Sequence, residues 1–572
     1  MQIKKTIQSL KEAVFKNERL LLALIFLFVI INWLLITLVE KIGPPDFYKI
    51  HEVAERLFSG DINIGIIMPL FPLLMYPLGK FIGLFAPQAE AFIIAGRIIS
   101  LAASLGVLYL TYLFLKKITD KFALVGLLFF VISPWYLKLL AFPITDMLYL
   151  FFVTAAFYAF LNNSRFWWAL GAITGGVMTR FEGVLLILSG AINYFKFKKR
   201  YFYVLLAFIP PIAGLLFFFW KYATRFFAHF KDVILPQKTY LYIFLHPLEF
   251  LNLIYGNILY FIPISYPYPL KMFLLMVVLA LFFYGIFRLY KISRSMTVAI
   301  VVYELLFLVA KGYLNPEDPG REFRRIFSGL WIFYVICFIG CYFFLKKIQH
   351  HRVLRNIVLI AGGTLFIGLS ISQELIGVPV LFPALLLILP LWYSLRDLSL
   401  GKIPKVAAVI ILLVFAFQVY SLSYKSSEKY VDSYAPKAAY EAAKWLNLAR
   451  LKENAVILYY TNNQVIEYYL KKKPAARKFQ MVHFTVPMRN TTETRQLFIQ
   501  TFFNLLKEHN VDYIIFDNYV VQKPEFLGIN DVQRMLYEEK ENQDLFRIKR
   551  NLFYKGNNVG YVLKPIDDQT NP

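Results

Sequence analysis

The residues in this sequence that could do chemistry are carboxylates and arginines set at the ends of apolar runs. Asp46 follows Gly43-Pro44-Pro45 and opens a short charged stretch, Phe47 to Gly60. Asp146 follows Thr145 at the start of another apolar run, and Arg97 sits near the start of a third. Arg180 and Glu182 flank Phe181 after a glycine-rich segment, and Arg324 and Arg325 precede a late apolar run. An ionisable group at the edge of a bilayer core costs roughly 2.5–3.5 kcal/mol, so such groups read first as functional. Carboxylates deprotonate a hydroxyl or hold a divalent cation such as Mg or Mn. Arginines grip phosphate through two parallel hydrogen bonds. Structural alternatives stand beside these readings. Asp46 and Asp146 could be helix caps, Arg97 and Arg180 could snorkel to headgroups, and Glu182 could simply pair with Arg180. His51 has no ligand partner at fixed spacing and reads as a solvated helix residue.

The elements that position these residues are apolar. The sequence has 572 residues, of which 59% are hydrophobic and only 17% charged, well below the charge of a soluble domain. Mean hydropathy is +0.56. The pattern predicts a polytopic α-helical membrane protein of about 13 spans through residue 424. A net charge of +25 comes largely from basic turns between apolar runs, the positive-inside pattern, and excludes a nucleic-acid reading. Basic residues before the first span place the N-terminus in the cytoplasm, and an odd span count places the C-terminus outside the cell membrane. Asp46, Arg97, Asp146, Arg180, Glu182, Arg324 and Arg325 then share the outer face. The stretch from 46 to 85 reads as outer interfacial helices, because Pro69, Pro72 and Pro77 disrupt a simple span. Residues 315–325 read as an outer loop. Cys337 and Cys341, four apart in one span, read as buried small hydrophobes with no disulfide framework.

Composition changes near Tyr424. Residues 425–572 read as a soluble, extracytoplasmic α/β domain. Strands are expected over 455–460, 478–484 and 511–516, with a hairpin over 546–554 and 559–563. Helices are expected over 436–450, 464–470 and 494–509.

The order of the motifs resembles a family. It runs Asp46-Phe47-Tyr48, then Leu57-Phe58-Ser59-Gly60 and Pro69-Leu70-Phe71-Pro72. Gly96-Arg97-Ile98-Ile99-Ser100, Ser133-Pro134, Thr145-Asp146-Met147, Thr179-Arg180 and Arg324-Arg325 follow. This set is similar to the multi-span GT-C glycosyltransferases, in particular the protein mannosyltransferase and aminoarabinose transferase group, up to about residue 350. The resemblance implies a GT-C-like membrane domain over 1–424 that takes a sugar from a polyprenyl-phosphate (dolichyl-phosphate type) donor. The acceptor would be a hydroxyl of a protein, lipid or glycan. It implies that Asp46 is the base for the acceptor or a metal or substrate ligand, and that Asp146 is the second acidic position. Arg97 and Arg324 or Arg325 would bind the carrier phosphate. The sequence departs from the family where Met68 precedes Pro69, where Phe47 rather than a second acid follows Asp46, and where Ala169 follows Trp167-Trp168. A lipid-linked glycan flippase, or a non-catalytic GT-C relative, is the alternative; the absence of an internal repeat weighs against a transporter.

Overall fold

The structure is a computed structural model. It describes residues 18–39, 42–60, 67–131, 136, 139–140, 142–162, 165–206, 268–311 and 319–348, and in the tail 437–448, 454–460, 466, 468–469, 479–483, 501–502, 504–506, 508–517, 546–554 and 557–565. The chain resolves into two compact units. One comprises residues 1–39, 53–77 and 94–430; the other comprises residues 40–52, 78–93 and 431–572.

The first unit is helical. Helix α1 (Glu18–Val39) is a continuous apolar run without an internal breaker. A second helix, α2 (Pro45–Phe58), begins on Pro45, which is suited to a first helical position because its missing N–H would be unbonded there anyway. Helix α3 (Leu70–Ile82) carries Pro77 inside it, and α4 runs from Gln88 to Thr119. After α5 (Ala123–Val131) come α6 (Thr145–Leu161), α7 (Phe166–Thr179), α8 (Val184–Tyr194) and α9 (Lys198–Leu206). Then follow α10 (Tyr268–Ile292), α11 (Arg294–Lys311) and α12 (Pro319–Ile348). The last of these begins earlier than expected: Pro319 starts it, so Arg321, Arg324 and Arg325 belong to a helix rather than to an outer loop. Proline at the first helical position explains the early start.

Among the described residues, two stretches are long and apolar enough to cross a bilayer alone, Glu18–Leu38 and Glu90–Thr119. Shorter apolar helices run over Leu70–Ile82, Thr145–Leu161, Val184–Tyr194 and Trp331–Phe344. The spans expected near 354–372, 377–395 and 404–422, and all but the last residue of the outer loop expected over about 221–268, lie outside the described residues.

Small residues set the helix spacing. A Cβ on Gly175 would collide with the ring of Phe152, and one on Gly190 would meet Ile173 Cδ1 at 2.7 Å. These glycines let α7 approach α6 and α8 approach α7 closely. Helices α1 and α4 run antiparallel: Glu18, at the start of α1, pairs with Lys116 in the last turn of α4. Trp331 on α12 donates its indole N–H to Thr111 on α4 at 2.8 Å.

The second unit contains a five-stranded mixed sheet. Its strands are β1 (Ala455–Tyr460), β2 (Phe479–His483), β3 (Tyr513–Asp517), β4 (Phe546–Tyr554) and β5 (Asn557–Pro565), in spatial order β2-β1-β3-β5-β4. β1 lies parallel to both β2 and β3, with Ala455 opposite Phe479 and Ile457 opposite Tyr513. β5 runs antiparallel to β3 and forms the hairpin with β4. Helix α13 (Lys437–Leu448) buries Ala439, Ala442, Ala443 and Leu446. The strands fall where alternation and β-branched or aromatic content place them.

Candidate active site

Asp146 stands in the first turn of α6. The residue before the helix, Ile144, is extended, and no side chain caps the helix there. The Asp146 carboxylate is instead engaged by Arg180, whose Nη1 donates to Oδ1. The Asp146 side chain is only 5% exposed and that of Arg180 16%. The same guanidinium donates Nε to Glu182 Oε2 and Nη2 to Glu182 Oε1, both at 3.2 Å. One arginine is therefore shared by two carboxylates, bidentate toward one of them. Burial works against the Arg180 charge, but the fields of Asp146 and Glu182 outweigh it and hold the guanidinium more firmly protonated than usual. The cluster carries a formal charge of about −1.

Local backbone explains why Arg180 can reach both partners. Helix α7 ends at Thr179, whose hydroxyl turns back to Gly175 O at 2.6 Å. Arg180 is extended, and its N–H still closes on Gly176 O at 3.0 Å. A single 3-10 turn, Phe181–Gly183, then leads into α8. Gly183 lies so close to the backbone of Gly176 and Val177 that no side chain fits. This tight reversal places Arg180 and Glu182 on one turn. Snorkelling, one reading of Arg180, is replaced by capture between two acids, because the reversal brings it back toward α6.

The entry to α6 is fixed from the other side by α4. A Cβ on Gly96 would meet Pro143 Cβ at 2.6 Å, and Ser100 Oγ donates to Phe142 O at 2.6 Å. Asp146 follows directly, so its position is set by backbone contacts on α4 and by Arg180. Three residues on, Tyr149 shares its face. The Tyr149 hydroxyl pairs with that of Tyr303 on α11 at 3.0 Å. Nothing in the sequence pairs these two tyrosines, 154 positions apart.

Arg97 is 3% exposed. Its Nη1 reaches Thr37 O at 3.4 Å, and its own carbonyl accepts from Trp33 Nε1 at 3.1 Å. The headgroup-snorkelling reading of Arg97 does not describe this buried position against α1. The side chains of Arg324 and Arg325 lie outside the described residues, as do Asp61 and Lys138.

Asp46 belongs to the second unit. It is the second residue of α2, not its cap, since the helix starts on Pro45. A carboxylate in a first turn faces the positive end of the helix dipole and is stabilised there as an anion. Around it the chain is packed by aromatic rings. Phe47 is fully buried against Gly43, whose Cβ would meet the Phe47 ring at 2.9 Å. His51, expected in solvent, is 3% exposed and lies edge-on to Phe92 at 4.4 Å and to Tyr468 at 4.9 Å. The amphipathic pattern gave no sign of this, because the rings that cover His51 come from distant segments.

Among the described residues no three His, Cys, Asp or Glu side chains gather as a metal set. A divalent cation on Asp46 would take its other ligands from substrate, water or residues outside that set.

The fold points to a class: it is similar to that of multi-span GT-C glycosyltransferases. The particular likeness is to ArnT (aminoarabinose transferase) from Cupriavidus metallidurans in the apo state, with a TM-score of 0.50 and 12% identity over 96% of this chain and 98% of that one. ArnT bound to undecaprenyl phosphate gives a TM-score of 0.49 at 12% identity over the same shares. The oligosaccharyltransferase of Archaeoglobus fulgidus in the apo form gives 0.48 at 12% identity, over 88% of this chain and 70% of that one. No family model and no curated sequence matches the chain.

Proposed function

We propose that this chain is an integral-membrane glycosyltransferase that moves a sugar from a polyprenyl-phosphate donor to an acceptor hydroxyl at the outer face of the membrane. The observation that carries the reading is the fold shared with apo ArnT over nearly the whole length of both chains. The acid-arginine-acid cluster at the head of α6 supports it.

In this mechanism Asp46 accepts the proton of the acceptor hydroxyl as that oxygen attacks the anomeric carbon. The bond from that carbon to the phosphate oxygen breaks, and the lipid phosphate leaves with the electron pair. The leaving group is already a stable anion, so cationic stabilisation matters more than a general acid. Arg97, Arg324 and Arg325 are the proposed phosphate-facing cations. Arg180, itself braced by Glu182, holds the Asp146 carboxylate in place, and Asp146 receives the hydroxyls of the donor sugar. Attack opposite the leaving phosphate inverts the anomeric centre.

The test is transfer by the full chain in native membranes. Polyprenyl phosphates carrying tritiated mannose, glucose, galactose or aminoarabinose are supplied in turn, with Asp46→Asn and Asp146→Asn alongside the wild type. Covalent labelled product that needs both acids supports the reading. Movement of the carrier lipid across the membrane with no product from any donor would overturn it.

A further inference from the structure

The helix that carries Asp46 does not stand by itself. Within the second unit, the first turns of α2 are covered by side chains more than four hundred positions later. Tyr468 is buried, and its ring meets Tyr48 at 5.0 Å and Phe47 at 6.1 Å, both edge to face. It also closes over His51. Tyr469 packs on Tyr48 at 6.1 Å and is itself braced by Tyr440 of α13 at 4.9 Å. The phenol oxygens of Tyr48 and Tyr469 are 3.2 Å apart. The Tyr48 oxygen also accepts the backbone N–H of Gly43 at 3.3 Å. One hydroxyl thus ties the segment before the helix to the tail, and the two ties bracket Pro44, Pro45 and Asp46. From the other side Phe92 presses on His51, seated where Gly79 leaves room for its ring.

Edge-to-face rings are directional contacts, unlike a plain apolar patch. They fix the rotation of α2 about its axis as well as its depth. Rotation is what decides where a carboxylate in the first turn points.

We propose that Tyr468 and Tyr469 are positioning residues for the reaction, holding the first turn of α2 so that the Asp46 carboxylate meets the acceptor hydroxyl. This rests on Asp46 being the base. The tail domain then takes part in catalysis without touching substrate: it supplies the wall against which the base is set. A misplacement of about 1 Å can cost on the order of 100-fold in rate.

The experiment uses the full chain in membranes and the labelled polyprenyl-phosphate sugar that the wild type accepts. Rates are taken from pH 5 to pH 9 for Tyr468→Ala, Tyr468→Phe, Tyr469→Phe and Asp46→Asn. For Tyr468→Ala the expected result is a kcat reduced about 10- to 100-fold with the donor KM unchanged and the acid limb of the pH profile displaced. Tyr468→Phe, which keeps the ring, restores the rate. Tyr469→Phe, which keeps the ring and removes the hydroxyl bond to Tyr48, lowers kcat several-fold while the protein stays folded, so a misfolded Tyr468→Ala leaves the proposal testable. Full activity in Asp46→Asn removes the base and this proposal with it. Loss of activity in Asp46→Asn beside wild-type kcat in Tyr469→Phe and in folded Tyr468→Ala overturns the positioning role alone.

Discussion

Asp146 and Arg180 form a direct ion pair across 34 positions of sequence, and Glu182 grips the same guanidinium from its other edge. The pair is nearly closed to water, so its parts are not interchangeable. Removing the cation leaves two carboxylates facing each other without a counter-charge. Arg180→Met should destabilise the first unit by about 3–5 kcal/mol, the cost of breaking a buried pair from one side. Thermal unfolding in detergent checks this. Arg180→Lys should recover little, because an ammonium cannot donate along both edges.

Replacing Asp46 tests the base directly. Asp46→Asn keeps size and helix position but cannot take a proton. Transfer should fall about 100- to 10,000-fold, the usual worth of a general base, with donor binding retained. Single-turnover kinetics with a labelled donor separates the two.

Gly183 should not tolerate a side chain. Its Cβ would enter the backbone of Gly176 and Val177, which no rotamer change relieves. Gly183→Ala should cost about 1–3 kcal/mol through forced backbone movement. The same movement carries Arg180 and Glu182 away from Asp146. A fall in kcat larger than the loss of stability explains is the expected signature.

The hydroxyl pair of Tyr149 and Tyr303 is buried between α6 and α11. Tyr303→Phe takes its hydroxyl partner from the buried Tyr149 and should cost about 1–3 kcal/mol. The double variant with Tyr149→Phe should be less damaging than the sum of the singles, since neither hydroxyl is left facing the other's empty place. A double-mutant cycle on unfolding midpoints measures the coupling.

Hydrophobic periodicity made most helices of the first unit legible, because a run of apolar residues long enough to cross lipid has few other uses. A short apolar run located β1, and two strand-like runs around Gly556-Asn557-Asn558 located the β4–β5 hairpin. Asp146, Arg180 and Glu182 stood out as candidates, since charge is costly at the end of an apolar run. Their pairings did not. Nothing local says that Arg180 faces back toward Asp146; that follows from one 3-10 turn and from Gly183. The alternative reading of Asp46 as a helix cap does not hold, because Pro45 already starts the helix. The solvated reading of His51 failed because its cover comes from Phe92 and Tyr468. Amphipathicity reports the face of a helix, not what arrives later to bury it.

That late arrival has a consequence for biosynthesis. Tyr48 and Tyr469, whose hydroxyls meet, are 421 residues apart. At about 5–20 residues per second, the ribosome needs tens of seconds to make the second after the first. Through that interval the segment bearing Asp46 is made but lacks the rings that cover it. The first turns of this helix therefore wait until the tail has been made and folded, and the packing around Asp46 is completed as one of the last acts of assembly.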